Sequence, residues 1–197
     1  SHLARQLHDE LGALLTSAKL DAARIRPNLA PEQQERLAHL TETLNSGIAL
    51  KRRIIENLRP SSLSNLGLLP ALEIQAREFA EQLEVPVQIE LAEVRLSPRA
   101  ELTVYRLVQE AFTNIAKYAK ASAVTLKLSV VDGQARVEVS DNGIGFDPQR
   151  QTIASHGLVG MRYRVAAEGG TLKLTSSPGQ GTVLAASLPQ LPEPSAV

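Results

Sequence analysis

The residues of this chain best suited to chemistry begin with Asp141-Asn142-Gly143-Ile144-Gly145-Phe146. Asp141 follows an alternating, β-like run at 135–140, so a carboxylate that accepts hydrogen bonds stands at a strand end. Two glycines behind it let the backbone turn sharply and leave room for a flat ligand. Alone, such a stretch is more often a plain β-turn rich in Asp, Asn and Gly. Upstream, Glu110, Asn114 and Lys117 are four and three residues apart, so on a helix they share one face. An acceptor, an amide oxygen and a cation are the groups needed to hold Mg²⁺ and triphosphate oxygens together, although a solvated polar face explains the three equally well. Downstream, Ser155-His156-Gly157-Leu158-Val159-Gly160-Met161 places glycines at the start of a helix. Free backbone N–H groups and the helix dipole suit phosphate there, while a plain helix entry is the commoner meaning. Gly179-Gln180-Gly181-Thr182 reads by itself as a hairpin turn.

A second candidate lies near the start. In Leu7-His8-Asp9-Glu10-Leu11-Gly12, Leu7 and Leu11 fall on an apolar seam and leave His8 at its exposed flank. A lone helical histidine is usually a surface residue. Here Asp9 can accept the proton from one ring nitrogen so that the other attacks. His2, His39 and His156 lack such surroundings.

Two kinds of element must position these groups. Leu3, Leu7, Leu11, Leu14, Ala18, Ala22 and Ile25 step by three and four along residues 1–26, a heptad-like seam broken at 27–31. A second helix is expected from about Pro31 to Leu58, with Leu37, Leu40, Leu44, Ile48, Ile54, Ile55 and Leu58 on its stripe. One hairpin has too little partner surface to bury both stripes, which predicts a homodimeric four-helix bundle, the alternative being packing against the downstream domain. Turn residues make 60–69 a linker. Beyond it, a helix is expected from Pro70 to Leu83, a strand at 85–91, and a helix capped by Ser97 and Pro98 running to about Tyr118. Strands at 124–131 and 135–140 join through an Asp132-Gly133 turn. A helix at 158–168 ends at Gly169-Gly170, and strands at 171–176 and 182–188 close an α+β sandwich. The domains expected are therefore 1–59, a linker 60–69, 70–189, and a disordered proline-bearing tail at 190–197.

Composition narrows the partners. Among 197 residues, Lys+Arg and Asp+Glu each number 21, so the balanced charge points away from nucleic acid or an anionic membrane as main partner. No cysteine is present, which excludes disulfides and thiolate metal sites and fits a reducing compartment. Aromatic residues are only 3%, so aliphatic side chains must build the core. No apolar run is long enough to span a bilayer, and the helical pattern at Ser1 implies a first helix that continued upstream.

The four downstream pieces, in order over about 97–188, resemble the ATP-binding domain of sensor histidine kinases, gyrase, the heat-shock protein of ninety kilodaltons and MutL, the GHKL or Bergerat type. Asn114-Ile-Ala-Lys117-Tyr118-Ala119 is similar to the N box, Asp141 to Gly145 to the G1 box, Gly157 to Met161 to the G2 box, and Gly179 to Thr182 to the last glycine element. The resemblance implies that Asp141 accepts from the adenine amino group, that Asn114, with Glu110 beside it, serves Mg²⁺, and that Lys117 and Tyr118 lie near phosphate. It implies that Gly143, Gly145, Gly157, Leu158, Gly160 and Thr182 complete the nucleotide site, with 146–157 as a short lid. Tyr118 stands where the N box usually has His, and Ser155 where the G2 box usually opens with Gly.

His8-Asp9-Glu10-Leu11-Gly12 resembles the phosphoacceptor box of kinases that partner NarL/LuxR-type response regulators. So do Asn57-Leu58-Arg59-Pro60, Leu66-Gly67-Leu68 and residues 104–111. The implied activity is ATP-dependent phosphorylation of His8, with Asp9 as base or orienter, then transfer to an Asp of a response regulator. Many members carry Gln where this chain has Ala13, and a methyl group cannot orient water, so weak phosphatase activity toward the regulator is expected. A cytoplasmic placement is expected, with a membrane anchor upstream implied by the resemblance. Alternatives are a silent docking dimer, or an ATPase or serine kinase on the same fold.

Overall fold

The computed structural model describes residues 10–26, 30–58, 60–148 and 155–192. The chain divides into two compact units, Ser1–Ser64 and Asn65–Val197. In the first, α1 (Gly12–Ile25) packs against α2 (Pro31–Leu58). Pro31 fills the first helical position, where its missing N–H costs nothing. The Ala30 amide donates to Gln33 Oε1 at 3.2 Å, and Ala30 O receives the amides of Gln33 and Gln34.

Two close approaches set the register of this hairpin. A Cβ on Gly47 would meet Leu15 Cδ2 at 3.8 Å, and one on Gly12 would meet Lys51 Nζ at 2.7 Å. As α1 advances, its partner position on α2 retreats, so the helices are antiparallel. The expected single seam of α1 is split by this packing. Ala22 is buried and Leu15 half-buried, whereas Leu14 is 67% exposed and Ile25 51%. On α2, Leu40 and Leu50 are also about half exposed, at 49% and 51%.

The residues expected to be a plain linker hold a short helix, α3 (Ser61–Leu66), and the start of α4 (Leu68–Leu83). Pro60 initiates α3, its carbonyl taking the Ser64 amide and hydroxyl, both at 3.0 Å. Gly67, at φ 83°, breaks the two helices apart. Pro70 thus sits in the first turn of α4, where proline is tolerated.

In the second unit, α4 leads to β1 (Val87–Leu91), α5 (Pro98–Asn114), β2 (Val124–Val131) and β3 (Gln134–Asp141). Then follow α6 (Ser155–Ala167), β4 (Thr171–Ser176) and β5 (Thr182–Pro189). Ser97 caps α5 by accepting the Ala100 amide at 3.1 Å, with Pro98 directly behind it. The strands form one sheet in the order β1-β2-β3-β5-β4, antiparallel except for the β1–β2 pair. Asp132 and Gly133 both have positive φ, 51° and 74°, as the two-residue turn between β2 and β3 requires.

Strict alternation sorts the two faces of the sheet. Leu126, Leu128, Val137, Val139, Ala186 and Leu188 point to the helices and are at most 2% exposed. Lys127, Arg136 and Glu138 occupy the open face, where Lys127 pairs with Glu90 at 2.9 Å. Above the buried face, Phe79 of α4 stacks on Phe112 of α5 at 4.6 Å between ring centres.

Three boundaries differ from expectation. The helix from Ser97 does not run to Tyr118 as one α-helix: beyond Asn114 it widens into a π-helical turn, Ile115–Ala119. The next helix starts at Ser155, so 155–157 of the expected lid are helical. The expected disordered tail is tied down at its start, because the Leu191 amide donates to Arg95 O at 2.8 Å and the Arg95 amide to Gln190 Oε1 at 2.9 Å.

Candidate nucleotide site

Four of the sequence stretches converge on one cavity of about 530 Å³, within the range of small-molecule sites. Glu110 and Asn114 reach it from the end of α5, Lys117 and Tyr118 from the π turn, and Asp141 and Gly145 from the end of β3 and its loop. Gly157 and Leu158 come from the first turn of α6, and Thr182 from the start of β5. Helix spacing places Glu110 and Asn114 together. The wider turn carries Lys117 and Tyr118 to the rim, where both are exposed, Tyr118 to 60%. His8 and Asp9 lie outside the described residues.

Backbone packing explains why the loop after β3 needs its glycines. A Cβ on Gly143 would lie 2.1 Å from Ala119 O, and one on Gly181 would lie 2.0 Å from Asp141 O. Gly145, at φ 56°, is doubly restricted, since its Cβ would meet Ser177 O at 2.0 Å. Between these glycines, the Ile144 amide donates to Ala119 O at 2.8 Å and its carbonyl accepts from the Gly179 amide at 2.6 Å. Asn142 is consumed in the same way: its Oδ1 takes the amides of Ser122 and Ala123, and its Nδ2 donates to Ser122 Oγ at 2.9 Å. Gly143 therefore supports the floor without lining the cavity, and Gly160 sits deeper in α6, beside the Arg164 guanidinium.

Asp141 is the electrostatic centre of the floor. Burial pushes its carboxyl above the ordinary aspartate range, and hydrogen bonds from the Gly143 and Thr182 backbones oppose that push without cancelling it. The Gly143 amide reaches Asp141 Oδ1 at 2.8 Å. At the opposite end, a Cβ on Gly157 would lie 2.6 Å from Glu110 Oε1, so that carboxylate packs on the first turn of α6. A helix N-terminus favours negative charge at that spot.

The donor set bears on a metal. One carboxylate and one amide oxygen are too few for a protein cage, and no cluster of three His, Cys, Asp or Glu exists among the described residues. Two oxygens do suit Mg²⁺, which keeps waters and takes the rest of its shell from substrate phosphates.

Sequence reasoning missed the apolar walls and one polar hub. Ile115, Val139, Ile144, Phe146, Met161, Leu174 and Leu184, with Ala111 and Ala119, complete the lining. Ile144, Phe146 and Met161 carried a signal, by standing inside the glycine-bearing motifs. The hub is Ser176 at the end of β4. Its hydroxyl accepts the Phe146 amide at 2.9 Å, donates to Gly181 O at 2.9 Å and lies 3.0 Å from Thr182 Oγ1.

Known proteins share this architecture. Residues 99–192 match the family described as histidine kinase-, DNA gyrase B-, and HSP90-like ATPase, and residues 1–63 match a histidine kinase family. The sensor histidine kinase MctS of Rhizobium johnstonii is 35% identical over 96% of this chain and 43% of its own length. The signal transduction histidine-protein kinase/phosphatase DegS of Brevibacillus brevis is 32% identical over 95% of this chain and 50% of its own. This chain thus spans about half the length of the curated relatives it matches. The histidine kinase domain of a blue-light activated histidine kinase from Erythrobacter litoralis shares the fold, with a TM-score of 0.58 at 19% identity over 90% of this chain and 94% of that one. No described helix is long and apolar enough to cross a membrane. With a helical region that matches a histidine kinase family followed by an ATPase-family sheet domain, this chain belongs to the sensor histidine kinases.

Proposed function

We propose that this chain binds ATP in the cavity beside Asp141, transfers the γ-phosphoryl group to His8, and passes it to an Asp of a NarL/LuxR-type response regulator. The observation that carries this reading is the convergence of Glu110, Asn114, Lys117, Asp141 and Thr182, from separate stretches, on one cavity. The histidine kinase family match over residues 1–63, a range that contains His8, supports His8 as the acceptor.

Asp141 accepts from the base, while Gly143 and Gly145 let the backbone approach it. Lys117, Tyr118 and the N–H groups at Gly157 and Leu158 meet phosphate oxygens. Asn114 and Glu110 would hold Mg²⁺, which would supply positive charge against the phosphates. One imidazole nitrogen of His8 bonds to the γ-phosphorus as the bond to the bridging oxygen breaks. Asp9 takes the proton from the other ring nitrogen, and ADP leaves. The half-exposed leucines of α1 and α2 are covered by a second copy of the hairpin, which makes the protein a homodimer. Residues 1–59 form that dimerising, phosphoaccepting part, 70–189 the nucleotide-binding part. In the cell, the domain acts on the cytoplasmic side, anchored through an upstream segment.

Incubation with γ-labelled ATP tests the reading. Acid-labile, base-stable label that disappears in His8→Ala is expected. No label would mean a silent docking dimer, and acid-stable label or free phosphate would mean a serine kinase or ATPase.

Ala13 is exposed on α1, where its methyl group offers water no hydrogen bond. Decay of phosphorylated regulator is expected to be only slightly faster with the protein than without it, and Ala13→Gln should accelerate it. Strong acceleration by the unaltered protein would defeat this assignment.

A further inference from the structure

The Ser176 hydroxyl has one hydrogen and two lone pairs, and three neighbours compete for them. Gly181 O can only accept, so the Ser176 hydrogen points to it. The Phe146 amide can only donate, so it takes one lone pair. The remaining lone pair faces Thr182 Oγ1, and Thr182 must therefore be the donor in that pair. This assignment satisfies all three contacts, and no other does. Thr182 has then given up its hydrogen, so its oxygen offers lone pairs alone to the cavity that it lines beside Asp141.

We propose that Ser176 is a positioning residue with two effects. It fixes the Thr182 hydroxyl as an acceptor, and it pins Phe146 directly after the glycine-bearing turn. Asp141 and Thr182 then both read hydrogen-bond donors at the inner end of the cavity. A purine with an amino group at its six position satisfies that end. A six-keto purine brings an acceptor against two acceptors. The proposal rests on the nucleotide reading above and adds how the base is chosen.

The test compares ADP with IDP binding by calorimetry and measures hydrogen exchange at the Phe146 amide without ligand. The unaltered chain should prefer ADP and protect that amide. Ser176→Ala should lower the ADP-to-IDP affinity ratio about tenfold, the scale of one net hydrogen bond, and deprotect Phe146. Ser176→Thr, which keeps the hydroxyl, should restore both. Any other pattern overturns the proposal, including equal loss in both variants, which would mark Ser176 as mere packing. Should Ser176→Ala not fold, Thr182→Val decides: the ratio must fall while Ser176→Thr keeps it, and a retained ratio in Thr182→Val overturns the idea. If the unaltered chain binds neither nucleotide, the nucleotide reading fails by itself. Phe146 exchange still judges the tie made by Ser176.

Discussion

The sheet unit and the helical hairpin handle their apolar residues in opposite ways. In the sheet unit, alternation and helix cover leave Leu72, Leu107, Leu126, Leu128 and Leu188 at 1% exposure or less. In the hairpin, Ala22 is the one hydrophobic residue buried among those described, while Leu14, Leu20, Ile25, Leu40 and Leu50 stay about half exposed or more. The sheet unit closes its core within one chain. The hairpin has one stripe engaged by its neighbouring helix and another left exposed. The lesson concerns stability: the unit that holds the cavity has a complete core, while the proposed dimer would tie the hairpin's stability to protein concentration.

The sharpest way to break this contrast is to disturb one unit and watch the other. Gly181→Ala puts a methyl group about where Asp141 O lies and at a φ of 69°. It should cost the sheet unit about 3 kcal/mol or more, read as a lower urea midpoint, with hairpin helicity retained. Asp141→Asn removes the charged acceptor and should weaken ADP binding about a hundredfold in calorimetry, without changing the dimer. Leu14→Glu combined with Leu40→Glu should raise the dimer dissociation constant about tenfold or more per site, measured by sedimentation, and leave ADP affinity alone. A particle of unchanged mass would erase the distinction between the two units.

The smallest effect is a pH dependence confined to the sheet unit. Asp141 holds its proton to higher pH folded than unfolded, because burial disfavours its charge. Between the two ionisations, the unfolded chain has lost a proton that the folded chain keeps. Raising pH from about 4, the ordinary aspartate value, up to the folded value therefore lowers stability. ADP affinity should climb over the same window as the acceptor ionises. Both slopes should flatten in Asp141→Asn, and equal slopes in the two proteins would remove Asp141 from the account.

What was legible in the sequence follows from what each residue does alone. Asp132-Gly133 announced its turn because few other pairs tolerate two positive φ values, and Ser97-Pro98 announced a helix start. Gly143, Gly145 and Gly181 marked places where backbone meets backbone. Ser176 gave no sign, since a serine ending a strand is ordinary until the fold brings Phe146 and Gly181 against it. The π turn at Ile115–Ala119 also leaves no mark in composition. On α1, spacing drew one stripe where the structure has two, because periodicity does not say which neighbour, in this chain or another, takes each leucine.

Ile144 shows how far the backbone alone fixes the cavity floor. Its peptide is stapled on both sides, to Ala119 and to Gly179, while its side chain stands 53% exposed. The receptacle is accordingly shaped before any guest enters, and a guest surrenders little freedom on its behalf.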